Sequence, residues 1–217
     1  MTTAQERKQQ ERHARRRRIQ RAARTVFAEK GYAKTSIEQI AREASLSVGA
    51  IYLYFRSKED LYVSLLEETL ETFDTDLSAV ASRGDSADVR VRAAWDYLTG
   101  WARAEVEATR VLRLASQPGV RKQLSDEVAE TVGKGLTRVR EHIGTIVKDG
   151  ISTGLYSDVE PDAAVDLAWT LHLGVLQAAD ARHNLGLPGG DFETLAQVAF
   201  SAVESRLRET NAQHAPN

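Results

Sequence analysis

Apolar residues recur every three or four positions along almost the whole chain, and no stretch sustains a period-two alternation. This patterning predicts an all-α protein. A first helix spans about 16–30, with Ile19, Ala22, Ala23, Val26 and Phe27 facing inward and Gly31 placed to end it. Thr35, followed three residues later by Glu38, reads as a capping box that opens a second helix. Ile37, Ile40, Ala41 and Ala44 share its buried face. Ser45-Leu46-Ser47 interrupts the period, and Ser47 is placed to cap a third helix reaching Tyr54, with Ile51 and Phe55 inside. Ser57 with Asp60 repeats the capping signature and starts a long helix to about Ser78. Its apolar stripe is Leu61, Leu65, Leu66, Thr69, Leu70, Phe73 and Leu77.

A polar loop at 82–86 precedes the second half, where helices are predicted over 87–103, 105–115, 125–153, 162–184 and 191–209. Pro118-Gly119, the segment 154–161 and the segment 186–190 separate them. The penultimate helix is apolar on more than one side, through Ala164, Leu167, Ala168, Leu171, Val175, Leu176 and Ala179. Such a helix is buried on two fronts, one within its own domain and the other against a second subunit. Leu171 and Val175, with Leu195, Ala199, Ala202, Val203 and Arg206 of the last helix, are the expected dimer interface. Two helices from each chain then form an isologous four-helix contact. The alternative is that both fronts are covered within one chain.

The densest functional signal lies in 35–61, TSIEQIAREASLSVGAIYLYFRSKEDL. Two helices joined by a turn of about three or four residues place the second in the DNA major groove. The exposed side of that helix carries Val48, Gly49, Ala50, Tyr52 and Tyr54, small groups and phenols suited to close approach and to phosphate. Phe27, Gly31 and Tyr32, then Thr35, Ile40 with Ala41, Ala44-Ser45-Leu46-Ser47, Gly49, Tyr52, Tyr54, Phe55, Lys58, Glu59 and Leu61 follow in fixed spacing. These residues, over roughly 17–65, strongly resemble the DNA-binding domain of the TetR family of bacterial transcriptional regulators. The resemblance implies about nine helices, a dimer formed by the last two, and a small molecule held in the helical body. One position departs from the family's pattern. Ser45 stands where that pattern has a turn glycine with left-handed backbone, a substitution with a local cost.

In this reading Thr35, Ser36, Ser47, Tyr52, Tyr54 and Lys58 meet phosphates, while Val48, Gly49 and Ala50 approach base edges. The segments are a basic arm (1–15), a helix-turn-helix domain (16–60), an effector-binding and dimerisation domain (61–210) and a tail (211–217).

Charge sharpens this division. Residues 1–60 hold 14 Lys/Arg against 7 Asp/Glu, and the remainder 15 against 24. A basic head on an acidic body suits a head that meets a polyanion. Nine of the basic groups fall in the first 24 residues, and Arg16, Arg17 and Arg18 are the expected phosphate or minor-groove contacts. An arm acting alone would make the chain a non-specific architectural protein, but such a binder needs no precisely spaced helix pair.

The chain has no cysteine and no apolar run of about 18 residues, so disulfides, thiolate-zinc sites and a membrane span are not expected, and the expected location is cytoplasmic. Phosphate-cradling Gly loops, G-x-S-x-G and H-E-x-x-H are absent. His13, His142, His172, His183 and His214 show no metal-ligand spacing. A helical-bundle enzyme is therefore disfavoured, and no cofactor or metal is implied. Trp95, Trp101, Trp169 and His172 are the expected pocket residues, being large or polar groups on otherwise apolar helices. The expected partners are a palindromic duplex operator, an unidentified small-molecule effector and a second copy of the chain. The predicted action is repression relieved by the effector.

Overall fold

The computed structural model describes residues 4–208 of the 217. The tail at 211–217, His214 and the end of the last helix at Glu209 lie outside the described residues. In chain order the helices are α1 (Ala4–Lys34), α2 (Ile37–Glu43), α3 (Val48–Tyr52), α4 (Lys58–Ser64), α5 (Leu66–Ala81), α6 (Ala87–Ala104), α7 (Val106–Ala115), α8 (Asp126–Ser152), α9 (Pro161–Leu185) and α10 (Phe192–Arg208). A 3-10 turn at Val120–Gln123 lies between α7 and α8. No strand occurs among the described residues, so the fold is all-α as the periodicity predicts.

Two compact units emerge. One takes the described residues up to Leu70 together with Val106–Lys134, and the other takes Glu71–Glu105 together with Gly135 onward. Compactness therefore does not divide the chain at residue 60.

The first unit is built on the predicted apolar faces. Ile19, Ala23, Phe27, Ile40, Ile51 and Leu61 are fully buried, and Phe55 nearly so. Tyr62 packs edge-on to Phe27 with centroids 4.6 Å apart, and lies 4.7 Å from Tyr32. Three local expectations are corrected here. The first helix begins at Ala4, ahead of the expected start at about 16, so the described part of the basic segment is helical. Residues 4–15 are mainly Ala, Gln, Glu, Arg and Lys, all good helix formers, with no glycine or proline to stop them. Gly31 interrupts α1 at φ 73°, where a glycine pays little for the left-handed backbone.

The second correction moves the capping box by one residue. Ser36, not Thr35, caps α2: its hydroxyl accepts the Gln39 N–H at 3.4 Å, and the Gln39 side chain accepts the Ser36 N–H at 3.0 Å. Thr35 is buried and donates to the Gly31 carbonyl at 2.9 Å, which the interruption of α1 leaves without a helical partner.

Third, the long helix from Ser57 breaks at Leu65 into α4 and α5. Side chains of α1 explain the break. Gln20 donates to the Ser64 carbonyl at 3.1 Å, Arg24 donates to the Leu65 carbonyl at 3.2 Å, and the Ser64 hydroxyl donates to the Leu61 carbonyl at 2.7 Å. Carbonyls so engaged tolerate a tightened turn.

In the second unit α10 packs along α9 and also against α6. Phe73 meets Trp101 edge-on at 4.8 Å and Tyr97 at 5.7 Å. Arg90, buried, donates to the Ala81 carbonyl at 2.7 Å and to Asp149 at 3.0 Å, which fastens the loop between α5 and α6.

The turn between α2 and α3 takes the form expected of a left-handed cap. The Leu46 N–H donates to the Ala41 carbonyl at 2.8 Å and the Ser45 N–H donates to the Arg42 carbonyl at 3.0 Å, the paired bonds of a Schellman end. Ser45 has φ 51°, the one positive value at a non-glycine among the described residues. Ser45→Gly is therefore expected to raise stability by about 1 kcal/mol, read from thermal melts, because glycine removes the Cβ penalty of that conformation.

Candidate nucleic-acid interface and body cavity

α3 is short and its N-terminus is closed by Ser47, whose hydroxyl accepts the Ala50 N–H at 3.2 Å. Ile51 and, just after the helix, Phe55 point into the core and fix its orientation. Its outer side carries exposed Ser47 and Gly49, half-buried Val48 and Ala50, and Tyr52 at 53% exposure. Leu53 follows at 78% and completes an outward surface that the pattern reading omitted. Nothing in the period distinguishes it, because Leu53 falls in the turn that ends α3 early. Tyr54 is half-buried, with the Arg12 guanidinium 5.9 Å from its ring centre.

Other expected DNA contacts have internal partners. Lys58 donates to the carbonyls of Tyr32 and Thr35, both at 3.1 Å, and its ammonium lies 4.3 Å from the Tyr32 ring centre. It thereby closes the end of α1, a function independent of DNA. The Tyr32 hydroxyl donates to Glu59, and burial together with that carboxylate pushes the phenol pKa up. Thr35 is too buried to meet a phosphate. Ser36 is half-buried, accepts the Gln39 N–H as the cap and is also hydrogen-bonded to Glu38.

The three α1 arginines expected to meet DNA separate by helical phase. Arg17 and Arg18 are exposed, while Arg16 lies on the face of Ile19 and Ala23 and is buried. Both terminal nitrogens of Arg16 bond Glu67, one of them at 2.7 Å, and its Nε lies 3.5 Å from Glu127. Burial lowers the Arg16 pKa, but the hydrogen bond and charge of Glu67 outweigh it and leave the guanidinium more basic than usual. Arg16 is thus a structural ion pair, contrary to its expected contact with DNA. The carboxylates concerned lie far along the chain, where no sequence period points to them.

The body unit contains a small apolar cavity of about 30 Å³ between α6, α8, α9 and α10. It brings together Trp95, Trp169 and His172 with Leu98, Val165 and Phe200. Trp101, the fourth expected member, is not part of it. Six residues carry the helix about one and two-thirds turns past Trp95, so Trp101 points to Phe73 instead. His172 is buried and meets Trp95 edge-on at 5.7 Å, with Trp169 at 6.4 Å. Burial brings its pKa down to about 4, so the ring is neutral at physiological pH.

The expected dimer residues divide as well. Val175, Ala199 and Val203 are buried within the unit and cannot meet a partner. Leu171 and Leu195 are half-buried, and Ala202 and Arg206 are exposed beside Val198, which is 65% exposed. The inward face of α10 is Ala196, Ala199, Phe200, Val203 and Leu207, rotated from the predicted stripe. Small and apolar residues on both faces hide that rotation from the periodicity.

Residues 19–65 match the family described as bacterial regulatory proteins, tetR family. Over 176 residues the chain is 31% identical to an HTH-type transcriptional repressor from Mycobacterium tuberculosis, covering 71% of this chain and 90% of that protein. The chain belongs to the tetR family of bacterial regulatory proteins.

Other relatives match this tetR-family chain over shorter stretches. It is 43% identical over 61 residues to the HTH-type transcriptional regulator YuxN of Bacillus subtilis, covering 28% of this chain and spanning only 21% of that relative's length. The whole fold superposes on the transcriptional regulator FadR from Bacillus subtilis, crystallised with stearoyl-CoA, at a TM-score of 0.67. That likeness covers 88% of this chain and 98% of the other at 20% identity, and speaks for the fold alone. No helix among the described residues is long and apolar enough to cross a membrane.

The two classes of arginine make opposite predictions. Arg16→Ala is expected to lower stability by about 2–3 kcal/mol in chemical denaturation, since Glu67 loses its buried partner. Arg17→Ala with Arg18→Ala is expected to leave stability within about 0.5 kcal/mol of wild type. That pair should instead reduce the slope of log K for DNA against log salt by about 2.

Proposed function

We propose that this tetR-family protein is a homodimeric, sequence-specific DNA-binding transcriptional regulator, a repressor released from a palindromic operator by a small molecule. The observation that carries the reading is the short, firmly capped α3 with an outer surface of Ser47, Gly49, Tyr52 and Leu53. Gly49 admits close approach of the groove, Val48 and Ala50 offer methyl contacts to thymine, and the Ser47 and Tyr52 hydroxyls reach phosphates. Exposed Arg17 and Arg18 add charge along α1 without adding sequence information. Repression is favoured by the Mycobacterium tuberculosis relative, whose name describes a repressor. The body cavity offers a place for an effector, and a fold relative, FadR from Bacillus subtilis, was crystallised in complex with stearoyl-CoA. No catalytic step is assigned, and a cytoplasmic location follows from the role.

One recognition helix reads too few base pairs for selectivity, and two-fold symmetry supplies a second copy about one DNA turn away. The outward faces of α9 and α10, with Leu171, Val198, Ala202 and Arg206, are the surface that two copies would share.

An electrophoretic shift with the DNA upstream of the gene and its neighbours tests the reading. Tyr52→Ala is expected to weaken binding at least tenfold with an unchanged melting temperature, since its ring is exposed. Binding equal to wild type would remove α3 from the interface. Val198→Asp is expected to convert the dimer into monomers in analytical ultracentrifugation and to abolish the full-site shift. A monomeric wild type would instead refute the dimer.

A further inference from the structure

We propose that the body cavity takes a compact, uncharged and mainly apolar molecule of about one ring, which makes a single hydrogen bond to the imidazole of His172. The inference rests on the effector-responsive reading above and names the chemical class of the effector.

The lining sets the class. Val91, Ala94, Leu98, Ile143, Val165 and Phe200 present only hydrocarbon, and no aspartate, glutamate, lysine or arginine is among the described lining residues. An ionic group placed there would lose its hydration with no opposite charge to replace it. On the side of the cavity the Trp95 ring packs against Phe200 at 5.6 Å and against His172 at 5.7 Å. A ligand's ring can take the same offset or edge-on geometry with these aromatics.

Apart from the indole N–H groups of Trp95 and Trp169, His172 is the one polar side chain among the described lining residues, and the one that can also accept a hydrogen bond. It is 5% exposed, its described contacts are rings, and burial is the sole influence on its titration. A neutral imidazole carries one N–H donor and one lone pair, and no hydrogen bond among the described residues uses either of them at His172. A hydroxyl, carbonyl or amide on an apolar ligand satisfies one of them. The cavity as it stands holds little more than the volume of one water, so a ligand must displace a wall. Trp169, half-buried at the edge of the lining, is the side chain with room to move. An indole swung outward frees about its own volume, which suits a ligand of about one ring.

Isothermal titration of the full-length protein with 4-ethylphenol, ethylbenzene, 4-ethylbenzoate and choline tests the class. 4-Ethylphenol is expected to bind about tenfold more tightly than ethylbenzene, and the two ions not to bind. His172→Phe is expected to bring 4-ethylphenol to the level of ethylbenzene, while His172→Gln retains part of the difference. Trp101→Phe leaves Trp95 and Trp169 as the fluorophores, and their emission should change with 4-ethylphenol. The proposal is overturned if no probe binds, if an ion binds more tightly than the phenol, if phenol and ethylbenzene bind wild type equally, or if His172→Phe keeps the preference. A parallel operator shift separates the two readings. Calorimetric binding with unaltered DNA affinity supports the ligand class and refutes its action as an effector. Absence of DNA binding by the ligand-free protein refutes the regulator and leaves the calorimetry standing.

Discussion

The Asp60 carboxylate is fully buried, yet its accepted hydrogen bonds come from groups with no formal charge. One oxygen accepts the Arg56 N–H at 2.7 Å; the other accepts the Ser125 N–H at 2.9 Å and the Ser125 hydroxyl at 3.0 Å. A buried charge is tolerated only when its lone pairs are met in this way. Beside it, the Ser57 hydroxyl donates to the Gln123 carbonyl at 2.9 Å while accepting the Asp60 N–H. Asp60 therefore ties the start of α4 to a segment more than sixty residues away, and this tie makes 106–134 part of the same compact unit as the DNA-reading helices. Arg16, reaching both Glu67 and Glu127, repeats the connection from α1.

These bonds explain why the apolar pattern described the head well but described its polar residues poorly. Ile19, Phe27, Ile40, Ile51 and Phe55 are buried as the period requires, since a short amphipathic helix has only one way to hide its stripe. Ser47 caps α3 and Ser45 adopts the left-handed turn, because both are consequences of chain geometry within a few residues. Arg16, Thr35 and Lys58 look like surface contacts in the sequence and are structural instead. Each meets a group made available elsewhere: a carboxylate on α5, or carbonyls exposed where Gly31 interrupts α1. A cation near a helix-turn-helix carries no label for which of these uses it has.

In the body the balance is different. Helix positions there followed from Gly and Pro punctuation, and the observed spans of α6 to α10 differ from the predicted ones by a residue or so. The orientation of each helix about its axis did not follow. On α9 and α10 small apolar residues occur on every side, so a rotation of one position costs the pattern nothing. It does, however, move Val203 from a presumed interface to the cavity wall. The same rotation leaves Val198 facing outward and brings Trp169 and His172 to Trp95, while the phase along α6 sends Trp101 to Phe73.

The sequence by itself determined the all-α class, the order of the helices, the limits of those in the body and the apolar interior of the head. All of these depend on interactions within a few residues or on a strong one-sided stripe. Tertiary structure alone decided which polar groups serve the fold and which remain on the surface, where the helix after Ser57 breaks, and which residues enclose the cavity. Hydrogen bonds and ion pairs between distant segments made those choices, and they depend on the helices' mutual rotation, which a one-dimensional period does not encode.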